Sequence, residues 1–180
     1  MDTITAYEKH LSQCRHIFQQ KTVDYGTAWR VLRLRSLTDQ LFIKAKRIRS
    51  IEEKGEQKIN EGIDGEYIAL VNYSIMALIQ MDLPQDENWD LPVEKAVAAY
   101  DHWAEKTKAL MIAKNHDYGE AWRDMRISSL TDLILMKLLR IKQIEDQKGK
   151  TLISEGVDAN YQDIINYALF ALIRLEENKA

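Results

Sequence analysis

The amino-acid sequence predicts an all-α protein: a helical bundle of about six main helices, built by tandem duplication and carrying internal pseudo-twofold symmetry. Two observations lead there. The stretch Lys114-Asn115-His116-Asp117-Tyr118-Gly119-Glu120-Ala121-Trp122-Arg123 repeats, 93 positions on, the stretch Lys21-Thr22-Val23-Asp24-Tyr25-Gly26-Thr27-Ala28-Trp29-Arg30. Between these landmarks apolar residues recur at steps of three and four, the spacing that lines one face of a helix.

In the first copy, Ile4, Tyr7, Leu11, Cys14 and Phe18 share a helical face, so a helix is expected from about Ile4 to Lys21, with Thr5 and Glu8 in capping-box spacing at its start. Gly26 supplies the positive φ that stops it. Trp29, Val31, Leu32 and Leu34 then alternate with Arg30, Arg33 and Arg35 in a connector of unreadable conformation. Ser36-Leu37-Thr38-Asp39 reads as a helix start, and a second helix is expected from Leu37 to Glu53, burying Leu37, Leu41, Ala45, Ile48 and Ile51 and ending at Gly55. A polar loop leads to a third helix, from about Asp64 to Met81, with Tyr67, Val71, Ser74, Ile75 and Leu78 on its core face.

The second copy repeats the plan. Helices are expected from Val93 to Lys114, from Ser129 toward Gly149, and from Asp158 to Glu177. Residues 1–83 thus form one repeat, 84–92 a linker bounded by both prolines of the chain, and 93–180 the other. Three such helices bury little alone, whereas two units packed face to face share a core, so the repeats should form one domain resembling a fused homodimer. A further dimer of whole chains is compatible with this plan.

Composition narrows function by exclusion. With 180 residues, 46% of them hydrophobic and 29% charged, the chain has the balance of a globular protein, and a net charge of −3 disfavours binding to a nucleic-acid backbone. Cys14 is the sole cysteine, which excludes an intramolecular disulfide and a thiolate zinc cage and suits a cytoplasmic setting. The start Met1-Asp2-Thr3 lacks the form of a signal peptide, and no apolar run approaches the length of a membrane span.

The last helix carries the densest polar constellation. Glu155, Asp158, Asp163 and Asn166 fall on one arc of it, opposite Ile164, Ile165, Ala168, Ala171 and Leu172. Oxygen ligands of this kind suit magnesium, which takes one or two carboxylates and completes its shell with phosphates and water. Glu155, Asp158 and Asp163 are therefore the candidate metal ligands and catalytic groups, with Asn166 a hydrogen-bonding neighbour. The plainer alternative makes Asp158 a helix cap and the rest a solvated face.

Lys137 and Arg140, repeated as Lys44 and Arg47, could meet phosphates or simply pair with helix carboxylates. Around the glycine turn, Lys114, Asp117, Tyr118 and Arg123 are further candidates for substrate binding, while Trp122 and Trp29 read as core anchors. His116 stands opposite Val23 and is not repeated. No phosphate-cradling glycine loop, zincin motif or nucleophile elbow is present.

Taken together, Lys-Asn-x-Asp-Tyr-Gly at Lys114 to Gly119, the Ser-Leu-Thr-Asp start, Glu-Gly-x-Asp at Glu155 to Asp158 and Asp-x-x-Asn-Tyr at Asp163 to Tyr167 resemble the nucleotide modification associated domain 1 family, once per copy. The resemblance implies an all-helical domain linked to nucleotide or DNA-base modification, without an assigned reaction. The first copy departs at Thr22 and at Ala69, which replaces Asp163. Glu66 offers a carboxylate nearby, but helix geometry turns it about 100° from the equivalent of Asn166, so the second copy is expected to hold the competent site.

A weaker similarity links Glu61-x-x-Asp64 and Glu155-x-x-Asp158 to the all-helical nucleoside triphosphate pyrophosphohydrolases. Their longer motif would fall on Glu52, Glu53 and Glu56 and runs across Gly55, which argues for coincidence. Two functions follow as expectations: magnesium-dependent hydrolysis of a nucleotide triphosphate, or a non-catalytic helical module that binds a nucleotide or a protein.

Overall fold

The computed structural model describes residues 1–55, 62–83, 89–151 and 156–179. Among them the chain forms six α-helices and no strand: α1 (Thr3–Tyr25), α2 (Leu34–Lys54), α3 (Ile63–Asp82), α4 (Val93–Tyr118), α5 (Ile127–Asp146) and α6 (Val157–Lys179). Short 3-10 turns, Ala28–Val31 and Ala121–Asp124, link the first and second helices of each repeat.

Helix ends differ from the sequence expectation for identifiable reasons. α1 is capped by Asp2, whose carboxylate accepts from the Thr5 backbone N–H and the Thr5 hydroxyl, so Thr5 lies inside the first turn and is not the cap. Ile4 is exposed, whereas Tyr7 is buried as expected and is joined by Thr3 and Ala6. α1 and α4 run on through the Asp-Tyr pair and stop at Gly26 and Gly119, with φ of 66° and 61°. α2 and α5 begin at Leu34 and Ile127, two residues ahead of Ser36 and Ser129, because the extended residues that precede them end at Arg33 and Arg126, which take the N-cap positions without a side-chain capping bond. Gly149 follows the end of α5 at Asp146.

The packing has a twofold plan. α3 packs on α6, α2 on α5 and α1 on α4, each helix against its own repeat-mate; every other main contact has its counterpart, α2·α3 with α5·α6 and α1·α6 with α4·α3. Buried side chains fill α3 and α6 around most of their circumference, so these two are the spine of one continuous core. No described helix is long and apolar enough to cross a membrane.

Buried polar groups repeat the symmetry bond for bond. The Tyr7 hydroxyl donates to Asn166 Oδ1 at 2.8 Å, and the Tyr100 hydroxyl to Asn72 Oδ1 at 2.8 Å. The other ends of these amides donate to the main chain of α4 and α1: Asn166 Nδ2 to the Thr107 carbonyl at 3.4 Å and Asn72 Nδ2 to the Cys14 carbonyl at 3.0 Å. A second pair lies between α2 and α5. Thr38 meets the Tyr161 hydroxyl at 2.7 Å and donates to Glu145 at 2.7 Å, while Thr131 meets the Tyr67 hydroxyl at 2.7 Å and reaches Glu52 at 3.3 Å.

Burial raises the proton affinity of the Glu52 and Glu145 carboxyls above the ordinary range, and their threonine hydrogen bonds offset only part of that shift. The folded state then holds more protons than the unfolded one just above the ordinary carboxyl pKa, so this contribution to stability is lost as pH rises through that window. Glu52→Gln combined with Glu145→Gln should therefore raise Tm relative to the parent chain more at pH 8 than at pH 4. A difference in Tm that stays constant across that pH range would contradict the assignment.

Candidate functional site

In the second repeat, three helices deliver charge to one point. Asp163 on α6 receives Lys114 Nζ, from the last turns of α4, on Oδ1 at 2.6 Å, and Lys137 Nζ, from the middle of α5, on Oδ2 at 3.0 Å. Lys137 is only 9% exposed, an uncommon position for an ammonium and one that its carboxylate partner explains. Arg140 lies one turn along α5, and Tyr167 one turn along α6. The Tyr167 hydroxyl is made less acidic by desolvation first and by the Asp163 charge second, with Lys114 and Arg140 acting the other way. Two ammonium groups thus share one carboxylate.

The first repeat builds the same cluster from a different carboxylate. Glu66, 3% exposed on α3, receives Lys44 at 3.6 Å and Arg47 at 3.2 Å. The sequence reading turned Glu66 away from the site; in the structure it serves the α2 cations from one helical turn before Ala69, the position matching Asp163. The carboxylate has moved along the helix, and the cations have kept their places. Lys21, however, has no carboxylate within ion-pairing distance among the described residues, whereas its mate Lys114 holds Asp163.

The remaining sequence candidates scatter. Asn166 is 4% exposed and committed to Tyr7 and Thr107, so its role in the structure is to join the two repeats. Arg123 stacks over Trp122 at 4.6 Å and bonds to Glu120, Glu177 and Thr3, tying the 3-10 turn to α1 and α6. Tyr118 is 74% exposed, and Asp117 is exposed beside His116 at 3.3 Å, both pointing out from the end of α4. Asp158 lies in the first turn of α6 and folds back over Gly156, as Asp64 folds over Gly62; a Cβ at either glycine would collide with the aspartate Oδ1. That close approach accounts for the Gly-x-Asp pattern in both repeats. Glu155, like Glu56 and Glu61, lies outside the described residues.

No three His, Cys, Asp or Glu side chains gather among the described residues, and both oxygens of Asp163 face ammonium groups that a cation would have to displace. The two ammonium groups that converge on Asp163 come from different helices, an arrangement that can also hydrogen-bond an anion.

The sequence reading passed over a cavity of about 400 Å³ between α1, the 3-10 turn and α3 of the first repeat, bounded by Phe18, Lys21, Trp29, Ala69, Tyr73 and Met76. In the second repeat Trp122 stacks on Phe170, with ring centroids 4.3 Å apart and planes at 2°. Met76 stands where Phe170 stands, and this difference between the copies was the available signal.

A duplicated six-helix bundle with a cation-rich helix junction in each half is the class of protein these features define. The chain belongs to the nucleotide modification associated domain 1 family, whose profile matches residues 21–81 and 114–175, once in each repeat. Each match opens at the lysine near the end of the first helix and takes in the second and third, so most of α1 and α4 lies outside it. No curated protein and no solved structure gives a match.

The bonding of Asn166 predicts how its loss will behave. Asn166→Ala leaves the buried Tyr7 hydroxyl without a partner and should cost about 1–3 kcal/mol in urea denaturation, with Asn72→Ala, which strands the Tyr100 hydroxyl, close behind. An unchanged denaturation midpoint would return Asn166 to the list of ligand-binding residues.

Proposed function

We propose that this protein is a nucleotide-binding module that receives phosphate groups at the cation clusters formed where the three helices of each repeat converge. The observation that carries this reading is Asp163 shared between Lys114 and Lys137 where α4, α5 and α6 meet, with Lys44 and Arg47 gathered on Glu66 in the first repeat. Basic side chains brought together from different helices can meet a phosphate on several sides, and an arginine adds forked hydrogen bonds to its oxygens. Family membership adds the link to nucleotides that its description carries.

Magnesium-assisted hydrolysis is the weaker reading. It would need Asp163 released from two ammonium groups before it could hold a metal, and Asp158 is engaged in the local geometry of the α6 start. Binding requires neither change. Under this reading the pairs Lys137–Asp163 and Lys44–Glu66 hold the cations in place for the ligand.

Thermal denaturation against ribo- and deoxynucleotides, each with and without magnesium, tests the proposal. A nucleotide at about 100 times its Kd should stabilise the protein by roughly 2.7 kcal/mol, with a similar shift when magnesium is omitted, and combining Lys44→Ala with Lys137→Ala should remove the shift. A flat panel would refute nucleotide binding. A shift seen only with magnesium would favour the catalytic reading instead.

A further inference from the structure

The two repeats diverge at the same two positions that decide whether space is left between the first and third helices. In the second repeat the Phe170 ring covers one face of Trp122 and the Asp163 carboxylate neutralises Lys114. In the first, Met76 and Ala69 take those positions, so Trp29 lacks a stacked ring on α3 and Lys21 lacks a carboxylate among the described residues. Trp29 instead leans on Phe18 at 6.2 Å with planes at 53°, and the cavity of about 400 Å³ opens beside it. What one repeat supplies from its own chain, the other leaves out.

We infer that the first-repeat cavity is the ligand site, and that it takes a nucleotide whose base occupies the place of the Phe170 ring and whose phosphate occupies the place of the Asp163 carboxylate. The inference rests on the phosphate-binding reading above and assigns it to one repeat. Its volume falls within the range of small-molecule pockets, which are mostly apolar with a few polar groups to fix orientation. Ile68, Ala69 and Met76 supply the apolar wall, Trp29 and Tyr73 the aromatic faces, and Lys21 the charge.

Spacing restricts the ligand further. Asp163 and Phe170 are seven residues apart on α6, which is two turns and about 10 Å along the axis. A ligand that replaces both must carry a ring and an anion separated by a linker. A nucleoside mono- or diphosphate has that layout, with the sugar as spacer, whereas a simple aromatic acid is too short and a free nucleoside leaves Lys21 unanswered. Asn72 lines the cavity but is committed to Tyr100 and Cys14. Because aromatic faces make up this part of the wall, preference among bases follows stacking area, purine above pyrimidine.

Isothermal titration calorimetry on the full chain tests this with adenosine monophosphate, adenosine diphosphate, adenosine and inorganic phosphate as probes. Met76→Phe and Ala69→Asp rebuild the second repeat's own arrangement in the first; each should weaken binding of the two nucleotides at least tenfold while Tm holds. Lys21→Ala, at an exposed position that does not threaten the fold, should weaken the nucleotides about tenfold and leave adenosine unchanged. Undiminished nucleotide binding in Met76→Phe and Ala69→Asp, with binding lost in Lys137→Ala, would overturn the cavity assignment and keep the nucleotide reading. A parent chain that binds neither nucleotide would overturn that reading as well.

Discussion

The fold depends on two hydrogen bonds that run in opposite directions between the repeats. Tyr7 of the first repeat donates to Asn166 of the second, and Tyr100 of the second donates to Asn72 of the first. Each tyrosine is fully buried, so its hydroxyl must find a partner inside the protein, and the partner it finds belongs to the other repeat. The amides then bond to main-chain carbonyls of α1 and α4. Neither repeat can satisfy its own buried tyrosine, and this locks the register of α1 and α4 against α6 and α3 in a way that apolar packing alone leaves loose.

Once that register is set, the rest of the interior follows. α3 and α6 are held side by side and buried on nearly every face, which explains why both are so apolar. α2 and α5 meet across the same axis and carry the threonine, tyrosine and glutamate groups between them. The lysines and arginines of the third helices' neighbours are brought to the junctions, where Asp163 in one repeat and Glu66 in the other hold them. Symmetry at the level of hydrogen bonds therefore coexists with asymmetry at the level of the site: one copy closed by Asp163 and Phe170, the other left open by Ala69 and Met76.

Much of the architecture was legible in the sequence because helical periodicity and glycine stops are local signals, and the duplication gave each of them twice. The helix starts were less legible. Ser36 and Ser129 look like caps, yet the helices begin two residues earlier, with Arg33 and Arg126 at the N-cap and no side-chain capping bond to mark the start in the sequence. The site was only half legible. Lys114, Lys137, Arg140 and Asp163 do come together, but repetition in both copies also marked Asn166 and Arg123, whose matched roles are to bind the repeats and turns to each other. Repetition selects residues that the shared fold needs, whereas a ligand site is more readily sought where the copies differ. Glu66 was set aside on its helical angle, whereas its reach to Lys44 and Arg47 on α2 depends on side-chain packing that helical angles do not describe.

The two repeats form a single cooperative core, joined by reciprocal bonds that neither can make alone. Differential scanning calorimetry of the whole chain tests it most directly, because two-state unfolding requires the calorimetric and van't Hoff enthalpies to agree. The account predicts one transition with equal enthalpies, with tryptophan fluorescence and far-UV circular dichroism melting together. Two resolved transitions, or a van't Hoff enthalpy near half the calorimetric value, would show two independent repeats and contradict it.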